Sequence, residues 1–225
     1  MGYARFQSSL AAVLAWALCT QAVQAAQLRI TLQDAETGLA LEDAVVEIKL
    51  PVAQQGDFTA VQEFSVDQIE KEFVDNVTVV NAGSRVFFPN SDDILHHVYS
   101  FSPAKVFEIP LYGNGRSVDF SQIFDQPGVV ELGCNIHDWM LGYVYVAETS
   151  LAVKTDANGQ AVIDGVPQGQ FTVTLWHPRA TPDSPELEHT LTFSDAEASV
   201  LRVALSLERD NRLRRAPKAS RTRYR

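Results

Sequence analysis

The chain has 225 residues, of which 46% are hydrophobic and 20% charged, with 12 Gly, 10 Pro, 2 Cys and a formal net charge of -10. That length and apolar content supply one large or two small domains with real cores and exclude global disorder. Two cysteines exclude a disulfide-stapled scaffold, and the acidic balance argues against nucleic acid as the partner of the main body.

At the N-terminus Arg5 precedes the apolar run Leu10 to Cys19, and Ala22-Val23-Gln24-Ala25 follows. A short positive region, an apolar region and a V-x-A site make residues 1–25 a secretory signal peptide, cleaved after Ala25. A membrane anchor is the alternative, but the run is about ten residues long against the roughly 20 a spanning helix needs. A lipoprotein signal through Cys19 is disfavoured by Leu18, which stands where a small residue is expected. Cleavage leaves a mature chain with Cys134 as its single cysteine, so no intrachain disulfide forms and an exported thiol needs another role.

From there almost every segment reads as strand: Leu28 to Leu32, Val77 to Val80, Val86 to Phe88, Tyr143 to Val146 and Phe171 to Leu175. These runs are short, β-branched or aromatic, and bounded by Gly, Pro, Asn and Asp. Residues 66 to 74 are the best candidate for a short helix, and no long amphipathic helix is evident. The fold class is therefore all-β, sandwich or barrel.

The chemistry concentrates in the segment Gly133-Cys134-Asn135-Ile136-His137-Asp138-Trp139-Met140-Leu141-Gly142, a loop between strands at Val129 to Leu132 and Tyr143 to Val146. Thiolate, imidazole and thioether recur at spacings of three, so one tight loop can turn all of them toward a single point. A closed site needs another imidazole. The stretch Asn90-Ser91-Asp92-Asp93-Ile94-Leu95-His96-His97-Val98 supplies two candidates, His96 and His97. One Cys, two His and a weak Met are the ligand set of a type 1 (blue) copper site. Structural zinc would call for more thiolates or a second paired motif, and calcium or magnesium for clustered carboxylates. A thiol protease would take its base from a separate element with an orienting third group, which is not evident here. Singly, Cys134 reads as a small buried hydrophobe, His137 as a satisfied loop histidine and Met140 as core filler. Together on one loop, with a histidine upstream, they read as a site. His177 and His189 read as structural or exposed.

The flanks carry a further pattern. Residues 30 to 48 read I-T-L-Q-D-x-x-x-G-x-x-L-E-D-A-V-V-E-I, and residues 152 to 175 read A-V-K-T-D-A-N-G-Q-A-V-I-D-G-V-P-Q-G-Q-F-T-V-T-L. They resemble the two halves of one carboxypeptidase regulatory-like (transthyretin-like) β-sandwich. In such a module the halves run nearly continuously, whereas here residues 53–148 intervene. Two organisations follow: a domain at 53–148 inserted into a loop of a sandwich made of 26–52 plus 149–208, or β modules in simple series. At the end, residues 209–225 hold eight Lys or Arg and one Asp. This basic stretch reads as a disordered, solvated extension; docking to an anionic membrane surface or an acidic partner is the sharper alternative.

The segment G-C-x-x-H-x-x-M-x-G before a Y-V-Y-V strand, with N-x-D-x-x-x-H-x-V upstream, resembles the cupredoxins, and its short loop is like that of amicyanin. The strings F-P-N-S-D-D-I-L-H-H-V-Y-S-F-S-P-A-K, G-V-V-E-L-G-C-N-I-H-D-W-M and L-W-H-P are similar to those of exported bacterial proteins labelled methylamine utilization protein. The resemblance covers most of residues 28 to 179. It implies a Greek-key cupredoxin barrel, inserted in or flanked by the transthyretin-like sandwich, with one copper held by His96, Cys134, His137 and Met140. The H-x-V match selects His96; strand alternation puts His97 on the face of Tyr99 and Phe101 and keeps it as the alternative. Asp138 stands where amicyanin-like loops have Pro, and His97 where many cupredoxins have a loop-bracing Asn. The function implied is periplasmic one-electron transfer linked to methylamine oxidation, by a carrier and not an enzyme. Cys134 would be the main electronic path, Met140 a long axial ligand, and the His137 edge, with Ile136 and Trp139, the contact patch. A c-type cytochrome or amine dehydrogenase would be the partner. A copper-binding accessory protein for maturation of a periplasmic enzyme and a metal-free β-sandwich interaction module are the alternatives.

The charges divide accordingly: residues 26 to 208 carry nine basic and 27 acidic groups, and the last 17 residues carry a net +7.

Overall fold

The computed structural model describes residues 26–55, 61–114, 120–182, 184, 187–194 and 198–209. The signal-peptide and most of the tail expectations therefore fall outside the described residues. In chain order the strands are β1 (Ala26–Asp34), β2 (Val45–Lys49), β3 (Glu63–Ser65), β4 (Gln68–Ile69), β5 (Glu72–Phe73), β6 (Val77–Asn81), β7 (Ser84–Phe87), β8 (His96–Ser102) and β9 (Lys105–Tyr112). They continue with β10 (Ser121–Phe124), β11 (Gly128–Cys134), β12 (Leu141–Ala147), β13 (Ala152–Lys154), β14 (Gln160–Val166), β15 (Gly169–Trp176), β16 (Glu188–Phe193) and β17 (Ser199–Leu205). The chain is all-β, as its short β-branched runs require, and none of the described helices is long and apolar enough to cross a membrane.

The first two strands pair with four of the last five. β1 lies between β14 and β17, and β2 lies between β13 and β15, with β16 at the edge. Alternation along β1 turns Leu28, Ile30 and Leu32 inward, where they share a core with Ile48 of β2, Val173 of β15 and Leu201 of β17. The turn Asp156-Ala157-Asn158-Gly159 presses on β1: Leu32 N donates to Gly159 O at 2.8 Å, and Gly159 has φ +70°. A Cβ on Gly159 would sit 2.3 Å from Leu32 O, so only glycine fits.

Strands β3 and β6 to β12 form a Greek-key sandwich. One sheet runs β6-β12-β11-β8-β9, the other β10-β7-β3, and the chain crosses between them at each step from β6 to β8 and from β9 to β11. Their inner faces share a core of Val86, Phe88, Phe124, Val98, Leu132 and Val144, to which Cys134 and Met140 belong at one end. The two sandwiches meet at Val45, Val77 and Tyr143, with Trp176 edge-on to Tyr143. Beneath them Glu47, 1% exposed, accepts from Tyr145 Oη, Lys49 Nζ and the amides of Glu148 and Thr149.

Residues 66 to 74 are not helical. They form the β4–β5 hairpin, because Glu70 and Lys71 take left-handed φ values of 53° and 61° and end any helical continuation. The apolar spacing of Val66, Ile69 and Phe73 imitates a helix, but Ile69 is exposed while polar Gln68 is fully buried.

Candidate metal centre

Two strands and one loop bring the candidate residues together. Cys134 ends β11, where it pairs with Val98 of β8, and Gly133 pairs with Tyr99. Gly133 lets the Tyr99 ring lie close over β11: a Cβ would stand 2.7 Å from that ring and oblige it to shift. His96 opens β8 beside a register shift against β9, which frees its ring to turn inward. His137 and Met140 follow Cys134 in a loop closed by Met140 N donating to His137 O at 2.9 Å. The amide of Asn135 holds this loop to β8 through the carbonyl of His97, at 3.3 Å.

Cys134 Sγ lies 3.8 Å from His96 Nδ1 and 3.6 Å from His137 Nδ1, and the two rings are centred 5.0 Å apart. One donor atom from each of the three residues falls within 4.8 Å of the others. Thiolate sulfur and imidazole nitrogen bind a first-row metal ion at about 2.3 and 2.0–2.1 Å, so at trigonal to tetrahedral angles they stand about 3.6–3.8 Å apart. The sulfur–nitrogen separations here fit that spacing. Met140 is buried and lines, with Cys134, Tyr99, Phe101 and Trp139, one groove of about 580 Å³.

Of the two upstream candidates, the structure brings His96 to the cluster. His96 is fully buried. His97 faces the other side of the sheet, where its Nε2 meets Glu108 Oε1 at 2.8 Å and its ring neighbours Tyr99 at 6.0 Å. His177 and His189 lie in the flanking sandwich, His177 Nδ1 accepting from the amide of Arg179 at 3.1 Å.

The charges around the site are ordered. His96 Nε2 donates to Asp92 Oδ2 at 2.7 Å, which leaves Nδ1 toward Cys134. Burial pushes the Asp92 carboxyl up, but the Lys71 amide, the His96 ring and the Glu70 amide outweigh it and hold it below the ordinary carboxylate value. Burial, reinforced by the His96 ring and Lys71, holds the His137 imidazole below its ordinary value and favours the neutral form a ligand needs. Asn90 fastens the loop: its Nδ2 donates to Ile94 O and Tyr112 O at 2.9 and 3.0 Å, and its Oδ1 accepts from Asp92 N at 2.9 Å. Tyr112 Oη donates to Phe88 O at 2.8 Å, and burial pushes this phenol up to about 12. Sequence reasoning named Asn90 and Asp92 only as letters of a motif and missed Gln68, Tyr112 and the turn amides. The N-x-D spacing four residues before a histidine was the one available signal.

No protein-family model matches the chain, and no curated protein matches it. Among solved structures, it is similar to a purple cupredoxin from Nitrosopumilus maritimus, at 22% identity over 38% of this chain and 99% of that one, TM-score 0.32. It is similar to a reduced Cu(I) form of an amicyanin mutant, at 20% identity over 45% of this chain and 98% of that one, TM-score 0.33. A Cu-containing nitrite reductase (NirK) from Thermus scotoductus SA-01 is matched at 23% identity over 44% of this chain but only 27% of that one, TM-score 0.36.

Proposed function

We propose that the protein is a type 1 copper protein of the cupredoxin kind that carries single electrons in the periplasm, and that it is not an enzyme. The observation that carries this reading is the convergence of Cys134 Sγ with His96 Nδ1 and His137 Nδ1 at 3.8 and 3.6 Å, at the apolar end of a β-sandwich. One thiolate and two imidazoles with a thioether on the same loop suit copper in both oxidation states, the soft sulfurs favouring Cu(I) and the nitrogens accepting Cu(II). When bound, copper would supply the one-electron redox couple.

The chain's own residues would do the rest. Cys134, His96 and His137 would hold the ion, with Met140 as a weak fourth donor. Phe88, Val98, Leu132 and Tyr112 belong to the same buried apolar cluster as Cys134. The partly exposed His137 ring, beside Ile136 at 45% exposure and Trp139 at 5.3 Å, offers a small apolar patch to a redox partner. Transient redox encounters use interfaces of that kind. A c-type cytochrome or an amine dehydrogenase is the partner proposed, in methylamine oxidation; the resemblance of the segments around His96 and Cys134 supports that link. The signal-peptide pattern of residues 1–25 supports the periplasmic location. The pairing of β1 and β2 with β13, β14, β15 and β17 supports insertion of residues 53–148 into a loop of the split sandwich, which we infer is the carboxypeptidase regulatory-like module.

Loading the protein with Cu(II) tests the reading. One equivalent should bind and give an intense visible thiolate-to-copper charge-transfer band, lost in Cys134→Ser. A colourless product, or a band that survives the substitution, overturns it.

A further inference from the structure

The β4–β5 turn stands outside every motif considered above, yet it touches both halves of the site. Glu70 and Lys71 point their backbone amides at one carboxylate: Glu70 N donates to Asp92 Oδ1 at 2.6 Å and Lys71 N to Asp92 Oδ2 at 2.9 Å. The same Oδ2 receives His96 Nε2 at 2.7 Å. In the other direction the carbonyl of Lys71 accepts from Trp139 Nε1 at 3.2 Å, between His137 and Met140 in the chain. Two consecutive non-glycine residues here are left-handed, at φ 53° and 61°. Such backbone is costly for Glu and Lys and persists only where its surroundings hold it.

The hairpin is in turn clipped to the loop before β8. Asp67 accepts from Ser91 Oγ at 2.6 Å and from Ser91 N at 3.1 Å, Gln68 O accepts from Ser91 N at 3.1 Å, and Gln68 Nε2 donates to Pro89 O at 2.7 Å. Gly142, just past the metal loop, lies against Phe73 of the same hairpin, 3.1 Å from where a Cβ would stand.

We propose that the Glu70–Lys71 turn is a bracket that presets the metal site before an ion arrives: through Asp92 it fixes the tautomer and orientation of His96, and through Trp139 it fixes the loop of His137 and Met140. Asp92 and Trp139 are thus positioning residues, acting on the ligands and not on the ion. The physical logic has two parts. A carboxylate that accepts from Nε2 obliges that nitrogen to carry the hydrogen, so Nδ1 presents its lone pair beside Cys134 Sγ. A carboxylate already held by two backbone amides cannot swing away, so the ring it holds keeps its angle. What the bracket does for copper rests on the function proposed above; what it does to the imidazole does not.

The test begins with the metal-free protein, where nitrogen-15 NMR of the histidine rings reads the tautomer directly. Wild type should show His96 as the Nε2–H form. Asp92→Ala should convert it to a mixture or to the Nδ1–H form and speed hydrogen exchange at the Glu70 and Lys71 amides. Trp139→Phe, which keeps an aromatic ring but removes the donor to Lys71, should leave the His96 tautomer alone and speed exchange at the Met140 amide. Copper affinity should then fall about 10–100-fold in Asp92→Ala, the usual cost of losing a partner to a ligating histidine. Should Asp92→Ala not fold, Asp92→Asn keeps the volume and one acceptor oxygen, and its amide group facing a turn N–H should still speed exchange there. An unchanged His96 tautomer in Asp92→Ala, or unchanged turn-amide exchange in Asp92→Asn, overturns the proposal. Failure of wild type to bind copper would count against the copper site alone, because the tautomer and exchange measurements need no metal.

Discussion

Both sandwiches bury polar side chains, and they use them differently. In the split sandwich Glu47 sits at 1% exposure with each oxygen occupied, Oε1 by the amides of Glu148 and Thr149 and Oε2 by Lys49 and Tyr145. Thr155 behaves likewise: its hydroxyl donates to Leu41 O and accepts from Ala44 N. Lys49 apart, these contacts join residues about a hundred positions apart in sequence, and they close on themselves. In the middle sandwich the chain of bonds through Asn90, Asp92 and His96 instead ends on an imidazole nitrogen aimed at a thiol sulfur 3.8 Å away. Buried polar groups in a β-sandwich carry a high desolvation cost, so each has a reason. A network that saturates is a stitch; one that runs out at convergent soft donors is a site.

Breaking the stitch gives the largest expected effect of the folding tests. Glu47→Ala leaves the buried Thr149 amide, the partly buried Glu148 amide and the Tyr145 hydroxyl without this acceptor, while Lys49 can still reach Glu148 at 2.9 Å. Orphaned buried donors cost about 1–3 kcal/mol each, so denaturant unfolding of the metal-free protein should lose on the order of 3–5 kcal/mol. The His96 tautomer should not change. A loss below about 1 kcal/mol would show that the freed donors find other partners and that Glu47 is no stitch, and a shifted tautomer would show that stitch and site are one network; either erases the contrast.

A smaller effect is expected where the two terminal segments meet through backbone alone. Gly159→Ala puts a Cβ against Leu32 O and Leu41 N in a left-handed turn. Relief requires β1 to withdraw from the turn, with a cost of about 1–3 kcal/mol for the backbone strain. Thermal unfolding should register it as a lowered Tm, with no change at the metal loop. Equal stability of the variant and wild type would mean that the turn is not pressed on β1 in solution.

Much of this contrast is visible in the chain itself, and part of it is not. The alternation of Leu28, Ile30 and Leu32 announces a half-buried strand, and the turn letters at Asp156 to Gly159 announce the turn between β13 and β14, because both are local. The Cys134–His137–Met140 loop is equally local, and its chemistry stands out by residue type. The choice between His96 and His97 was open because period-two alternation gives the faces of a strand but not which face is inward. The register shift of β8 against β9 turns His96 toward Cys134, and the Asp92 bond to His96, although local, is held by the distant Glu70 and Lys71 amides. The hairpin at Gln68 to Phe73 was hidden for the same reason. Its apolar spacing fits a helix, and the hydrogen bonds of Asp67 and Gln68 to residues 89–91 and of the turn amides to Asp92 help hold it as strand. Nothing local shows that four donors converge on Glu47 from residues 49, 145, 148 and 149.

The smallest effect separates an exposed carboxylate from the buried ones. Asp156 is exposed, and its Oδ1 accepts from Gln160 N and from Asn158 N at 2.9 Å each. The Gln160 amide, opposed by a little burial and supported by the Asn158 amide, holds the carboxyl below its ordinary value. A carboxyl with a depressed folded-state value releases its proton more readily folded than unfolded. Its stabilisation is therefore complete above the unfolded value, about 3.9, and disappears as pH falls through the lower folded value. Asp156→Asn should remove only this part of the pH dependence, so that the stabilities of variant and wild type converge as pH drops below about 4 and differ by a constant small amount at neutral pH. A difference that widens on acidification would reverse the sign and place the unfolded carboxyl, not the folded one, in the more favourable surroundings. Because the group is open to solvent, added salt should weaken the effect, whereas the Glu47 stitch should be nearly indifferent to it.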